Sequence, residues 1–368
     1  MSGQPRLQVL ALSPIPEEGA GCRFRVSQYL PYLRAAGIDV TIRSFYTPEY
    51  FGIVYKPGHY IRKTLAFMPL AYRRLLELQE LPNYDLVWLY REAIPLGPPL
   101  IERVIARRGT PIVLDFDDAI FMSNVSEANR AIAFLKNPSR VAEVTRMSTK
   151  VMVGNEFLAT YARRHNQQVS VVPTVVDTTR FVPRADRNRL PASGPVVGWI
   201  GSPTTGHYVQ AMASLLRDAA SRHRFTLKVS GAGKKVQFDG VQVDETPWSL
   251  AREVELFNTC DIGIYPLTDD DWSRGKCGFK AIQFMACGVP VLASAVGVNR
   301  EIIQDGENGF LASTPDEWAT KLDRLLGDPG LRARFADAGR KTIEERYSLT
   351  VTAPQVERIL REAAAQRT

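Results

Sequence analysis

The feature that most restricts the fold of this chain is a repeated alternation of short apolar runs with helical patterns. Residues 7–12, 38–42, 86–89, 112–114, 151–153 and 169–172 are β-branched or otherwise apolar, and helical patterns separate them. The first run leads into a loop with Gly19 and Gly21, and Phe24, Tyr29, Leu30 and Leu33 then mark a helix that stops at Gly37. Strand, glycine loop and helix form one βα unit, and its repetition predicts a parallel sheet. Residues 184–194, just after Pro183, turn polar and basic, with Arg184, Arg187 and Arg189 and no periodicity, which predicts a linker. The pattern restarts at 196–200, with further runs at 225–229, 262–265 and 289–292. The expected fold is therefore α/β: two doubly wound Rossmann-like domains, 1–183 and 195–350, joined by 184–194 and followed by a C-terminal segment, 351–368. Two such domains face a central cleft at the carboxyl ends of their strands, where these sheets take ligands.

The second domain contains the most informative local sequence. Gly275 and Gly278 permit tight or left-handed backbone, so amides there can approach a ligand that a Cβ would hold away. Lys276 adds a cation. From Phe279 the residues Ile282, Phe284 and Met285 continue a short helix, ended by Gly288 as a left-handed residue and by Pro290 beyond it. A glycine turn that opens a helix presents unpaired N–H groups and the positive end of the helix dipole, which suits a diphosphate. In isolation the same pattern also fits an ordinary helix start with a solvated lysine. Gly201 and Ser202, between a strand and a helix, offer further amides and a hydroxyl, or simply form a turn.

Composition narrows the surroundings of that site. The chain has 368 residues, 45% of them hydrophobic, enough to bury two cores. Its net charge of +7 and pI near 9.2 favour anionic partners without choosing among nucleotides, anionic lipid and nucleic acid. The basic residues are dispersed and no aromatic-basic reader motif occurs, which argues against nucleic acid. Cys22, Cys260, Cys277 and Cys287 have no metal-like spacing and read as free thiols of a reducing cytoplasm. The apolar run near the N-terminus lacks the flanks of a secretion signal, and no window has the length of a membrane span. The expected location is cytoplasmic, soluble or peripheral at the inner membrane face.

Residues 275–294, with Val296, Gly297, Val298, Glu301, Ile302, Ile303 and 307–310, resemble the donor-binding half of the family 4 glycosyltransferases, which have the GT-B fold. The resemblance covers nearly the whole chain: Gly19 and Gly21 match the family's N-terminal glycine loop, 154–155 and 172–177 its interdomain region, and 198–202 the first loop of its donor domain. It implies transfer of a hexosyl or related sugar from a nucleotide diphosphate donor with retained anomeric configuration and no essential metal or other cofactor. It also implies that 353–365 return as a helix to the first domain. Two departures stand out. Gly275 and Gln283 occupy the positions of the family's paired glutamates, and Ser202, His207 and Tyr208 lie where a basic pair is usual. A glutamine can still accept one hydroxyl hydrogen bond and donate another. The resemblance thus implies donor binding by Gly201, Ser202, Arg274, Gly275, Lys276, Cys277, Gly278, Phe279, Lys280 and Gln283.

In the first domain Asp115, Asp117 and Asp118 follow the run 112–114 and are the catalytic candidates. One of them can bind sugar hydroxyls or receive the acceptor's proton, or cap the following segment. Gly19, Gly21, Arg25 and Arg91, at the ends of strands, are the acceptor-binding candidates, the arginines suiting carboxylate or phosphate. Residues 269–271 form an acidic triplet that reads as solvated surface, not as a metal site. Residues 50–76 hold no acid but contain Lys56, Arg62, Lys63, Arg73 and Arg74 among apolar residues, a composition that suits either docking on anionic lipid or an ordinary helix with a basic face. Pro69 is expected to interrupt any long helix there. Two other functional readings stand beside an active glycosyltransferase: a catalytically silent GT-B partner of an active enzyme, and a dinucleotide oxidoreductase, whose glycine fingerprint is absent.

Overall fold

The computed structural model describes residues 6–54, 60–122, 139–185, 194–233 and 237–367. The chain divides into two compact units, one of residues 1–174 with 352–368 and one of residues 175–351. The division precedes the 184–194 segment because the chain just before it already packs within the second unit. Arg340 donates to the Phe181 carbonyl, and Arg184 pairs with Asp261 at 2.6 Å. Residues 186–193, including Arg187 and Arg189, lie outside the described residues, as does Lys56.

The first unit carries six strands: β1 (Leu7–Ser13), β2 (Ile38–Ser44), β3 (Leu86–Tyr90), β4 (Ile112–Phe116), β5 (Lys150–Val153) and β6 (Val169–Val171). They pair in parallel in the order β2-β1-β3-β4-β5-β6. Every residue of the central β3 and β4 is buried, as expected of strands covered by helices on both faces. The order reverses between β1 and β3, so the crevice of this sheet opens at their carboxyl ends.

The second unit carries β7 (Val196–Ile200), β8 (Thr226–Ser230), β9 (Gln242–Glu245), β10 (Ile262–Tyr265), β11 (Val291–Ser294) and β12 (Phe310–Ala312). These are also parallel, in the order β12-β11-β10-β7-β8-β9, and the reversal lies between β7 and β10. β9 is a polar edge strand, and β12 is an apolar run of only three residues. β11 begins at Val291, two residues later than expected, because the helix before it ends in a hydrogen-bonded motif. Gly288, at φ +65°, donates to the Met285 carbonyl, and Val289 donates to that of Phe284.

Pro69 does not interrupt the helix in which it lies. Tyr60–Glu77 runs straight through it. The carbonyl that loses its donor belongs to Leu65, which is 70% exposed, so water can satisfy it. Phe67, Leu70 and Ala71 anchor the turns on either side against Phe45, Tyr46 and Tyr50.

Candidate functional site

The carboxyl edge of the second sheet collects the loops after β7, β10 and β11. Gly201 follows β7 and donates to the Ser230 carbonyl, and a Cβ on it would meet the Trp199 ring. Ser202 is exposed, and Thr205 Oγ1 accepts from its amide at 3.0 Å. After β10, Asp270 caps the short helix Asp271–Arg274 by accepting from Ser273 N at 2.7 Å. Burial opposes ionisation of Asp270, but hydrogen bonds from Thr268 and Ser273 and the nearby Lys276 charge hold it below the usual carboxylate range. Tyr208 and Ser273 join the two loops, hydroxyl to hydroxyl, at 3.1 Å. The acidic triplet is thus spent locally: Asp270 caps, while Asp269 and Asp271 bind Arg274 at 2.8 and 3.1 Å.

The turn that follows differs in detail from the sequence expectation. Gly275 has φ −74°, an ordinary helical value, and its amide donates to the Asp271 carbonyl. Lys276 N likewise donates to Ser273 O. Only Gly278 is left-handed, at φ +62°, and it is the N-cap of the helix Phe279–Ala286, where no side chain caps the first turn. A Cβ on Gly278 would strike Ile302 Cδ1, so this position requires glycine on two counts. Lys276 Nζ lies 5.4 Å from the Trp272 ring centroid. Cys277 is buried, whereas Phe279 and Lys280 are half-buried.

Gln283 is fully buried, and both ends of its amide are engaged. Its Oε1 accepts from Lys280 Nζ at 2.8 Å, and its Nε2 donates to Glu253 at 3.4 Å. Glu253, itself 1% exposed, pairs with Arg180 at 3.4 Å. The structure therefore places Lys280, not Gln283, at the more accessible end of this cluster. Glu253 was invisible to sequence reasoning, since it lies 30 residues from Gln283 and in no motif with it.

The carboxyl edge of the first sheet holds the acidic candidates, and it sorts them into two groups. Asp115 and Arg25 are each 1% exposed and face one another, with Arg25 Nη2 at 2.5 Å and Nε at 3.1 Å from Asp115 Oδ1. Trp88 Nε1 donates to Asp115 Oδ2 at 3.3 Å, and Arg25 Nη1 reaches the Val172 carbonyl at 2.6 Å. Burial raises the Asp115 carboxyl above its ordinary value. For Arg25 burial works against the charge, and Asp115 more than offsets it. Both side chains, expected at a catalytic and an acceptor site, lie buried as partners of each other.

Asp117 and Asp118 remain near the surface, with side chains 14% and 31% exposed. Arg91 bridges them at 2.8 and 2.5 Å, and Tyr90 OH donates to Asp117 at 2.8 Å. Burial works against the Asp117 charge, but Arg91 and Arg25 outweigh it and hold Asp117 below the usual range. Arg91 has φ +61°, the one positive value outside glycine among the described residues, and its N–H donates to the Asp115 carbonyl at 2.7 Å. Such a conformation costs an arginine about 1–2 kcal/mol and persists only where its surroundings impose it. Gly21 packs against this group so closely that a Cβ would strike the Tyr90 hydroxyl, and Gly19 is similarly confined by Ile15. No pattern in the sequence announces the Tyr90 hydrogen bond or the Arg91 backbone.

Two parallel six-stranded units of this topology, with a glycine turn opening a helix at the carboxyl edge of the second, define the GT-B fold. The solved structures of sucrose-phosphate synthase from Thermosynechococcus elongatus (TM-score 0.69, 18% identity, 97% of this chain and 99% of that one) and of Anabaena HepE in complex with UDP and glucose (TM-score 0.63, 16% identity, 97% and 100%) share it. Residues 194–328 match the family described as Glycosyl transferases group 1. Sequence relatives include a D-inositol 3-phosphate glycosyltransferase of Nocardiopsis dassonvillei, 27% identical over 76% of this chain and 72% of the relative. An MMP alpha-(1->4)-mannosyltransferase of Mycolicibacterium hassiacum is 26% identical over 74% and 69%.

Proposed function

We propose that this protein transfers a hexosyl or related sugar from a nucleotide diphosphate donor to a hydroxyl of a glycan, lipid-linked or small-molecule acceptor, as a family 4 enzyme that retains anomeric configuration and requires no metal. The observation that carries this reading is Gly278: left-handed, closed to any side chain, and opening a helix that has no side-chain cap at Gly278, beside Lys276 at the carboxyl edge of the second sheet. In the reaction the bond between the anomeric carbon and the diphosphate oxygen breaks, and the diphosphate leaves with the electron pair. The acceptor oxygen bonds the same carbon and gives its proton to an oxygen of the leaving diphosphate. Charge grows on the leaving diphosphate, so helix-turn amides and the Lys276 ammonium stabilise the transition state more than the ground state. On the first unit, Asp117 and Asp118 are the carboxylates exposed enough to meet sugar or acceptor hydroxyls, and Arg91 fixes their position. That Anabaena HepE is solved with UDP and with UDP-glucose supports a nucleotide-sugar donor here.

The test is thermal stabilisation of the purified chain by a panel of nucleoside diphosphates and nucleotide sugars, with and without chelator. A ligand at 100 times its Kd stabilises by about 2.7 kcal/mol. A shift for one base that survives chelation and is lost in Lys276→Ala supports the reading; no shift with any nucleotide overturns it. A catalytically silent GT-B protein is the second reading, favoured by Gly275 in a usual glutamate position and by the occupied amide of Gln283. Detectable turnover of any donor excludes it.

A further inference from the structure

The amino edge of the second sheet, opposite the loops after β7, β10 and β11, holds a cavity of about 300 Å³. Cys260 and Asp261 precede β10 there, Val289 and Pro290 precede β11, and Asp261 Oδ2 accepts from the first amide of β7 at 2.8 Å. The helix Pro329–Arg346 contributes Arg332 and Ala336 to the lining. All of these residues belong to the second unit. A space of this size exceeds what a single water needs and accepts a small organic molecule.

The lining combines apolar side chains with three charges. Val289, Ala336, Cys260 and Cys287 are buried, and burial pushes the two thiols up to about 12, so both stay protonated at neutral pH and act as apolar walls. Arg184 and Asp261 neutralise each other at 2.6 Å, and Arg184 Nη1 also donates to the Asn258 carbonyl at 2.9 Å. Arg332 is placed differently. It is 6% exposed, and its Nη1 donates to the carbonyls of Leu325 and Leu326 at 2.6 and 3.1 Å, near the end of the helix Pro315–Gly327. Among the described residues its Nε and Nη2 have no hydrogen-bond partner. Burial works against the Arg332 charge and holds it below the usual range, and Asp261 and Asp328 offset only part of that effect. A buried cation is costly until an anion pairs with it. The Nε and Nη2 of one guanidinium form a fork that grips a carboxylate through two parallel hydrogen bonds.

We infer that the cavity at the amino edge of the second sheet is a binding site for a small organic carboxylate, whose oxygens accept from Arg332 Nε and Nη2 and whose apolar body packs against Cys260, Cys287, Val289 and Ala336. With Arg184 and Asp261 paired, one positive charge is left to match, which favours a monoanion over a phosphate dianion. The site lies at the opposite edge of the sheet from Gly278 and Lys276 and does not depend on the donor reading. The test is isothermal titration of the full chain with isobutyrate, benzoate and benzamide, the last a neutral match for benzoate. Phenyl phosphate is titrated into Lys276→Ala, so that the donor edge does not contribute. Binding of a carboxylate at millimolar concentration is expected, with benzamide and phenyl phosphate at least about tenfold weaker. Arg332→Lys keeps the charge but loses the fork, and should weaken the carboxylate about tenfold. Ala333→Leu, at a half-buried position of the lining, fills the space, leaves Arg332 in place and should abolish binding while its melting temperature shows that it folds. Lys276→Ala should bind the carboxylate as the wild type does. The proposal is overturned if no carboxylate binds, if benzamide or phenyl phosphate binds as well as benzoate, or if the folded Ala333→Leu variant binds unchanged. Arg332 is then only a cap for the end of the helix Pro315–Gly327.

Discussion

Replacing Arg25 with alanine tests whether the first unit's arginine is an acceptor ligand or a member of its core. The substitution removes every Arg25 bond to Asp115 and the bond to the Val172 carbonyl, and it leaves a 1% exposed carboxylate with Trp88 as its remaining polar partner in this group. Breaking a buried pair in this way costs about 3–5 kcal/mol, because an uncompensated charge remains in the interior. In a unit of this size each kcal/mol corresponds to about 2–4 °C, so calorimetry should record a fall of roughly 6–20 °C in the lowest transition. Adding Asp115→Asn to the variant removes the stranded charge and keeps the shape, and should recover a substantial part of that loss. If Arg25→Ala melts within about 2 °C of wild type, or if Asp115→Asn brings no recovery, the interior ion pair is not what holds this edge of the sheet.

The remaining expectations concern the second unit. Gly278→Ala places a side chain at φ +62° against Ile302, so it should destabilise by at least the roughly 1–2 kcal/mol of a left-handed alanine and abolish the thermal shift with nucleoside diphosphates. Lys276→Ala should reduce turnover sharply, whereas Asp269→Ala, which frees only one exposed partner of Arg274, should change it little; equal effects in a donor-turnover assay would refute this ranking. Asp244 and Asp270 are both held below the usual carboxylate range. Their contribution to stability is therefore complete above the unfolded value near 3.9 and is lost as pH falls through the lower folded values. The melting temperature should drop below about pH 4, less steeply in Asp270→Asn, and parallel curves for the two proteins would contradict the assignment.

The strands and helices legible in the sequence were those whose side chains meet one environment along their whole length. β3 and β4 are buried throughout and read as unbroken apolar runs, and the helix Phe279–Ala286 carries its stop signal in Gly288. β9 was not legible, because an edge strand with half its residues exposed has no apolar pattern to betray it. Pro69 misled because the penalty of proline in a helix depends on whether the freed carbonyl meets water, and that is a property of the packed unit.

The same division holds at the candidate site. The sequence by itself determined the parallel α/β architecture, the glycine turn ahead of its helix, and the clustering of acids after β4, since all of these follow from local periodicity and backbone freedom. Only the tertiary structure decided which acids face inward and which outward. Asp115 finds Arg25 across 90 positions and Asp117 finds Arg91 across 26, while Gln283 finds Glu253 across 30. The electrostatic character of a carboxylate is set by burial and by the cation opposite it, and both depend on which strand ends the sheet order brings side by side.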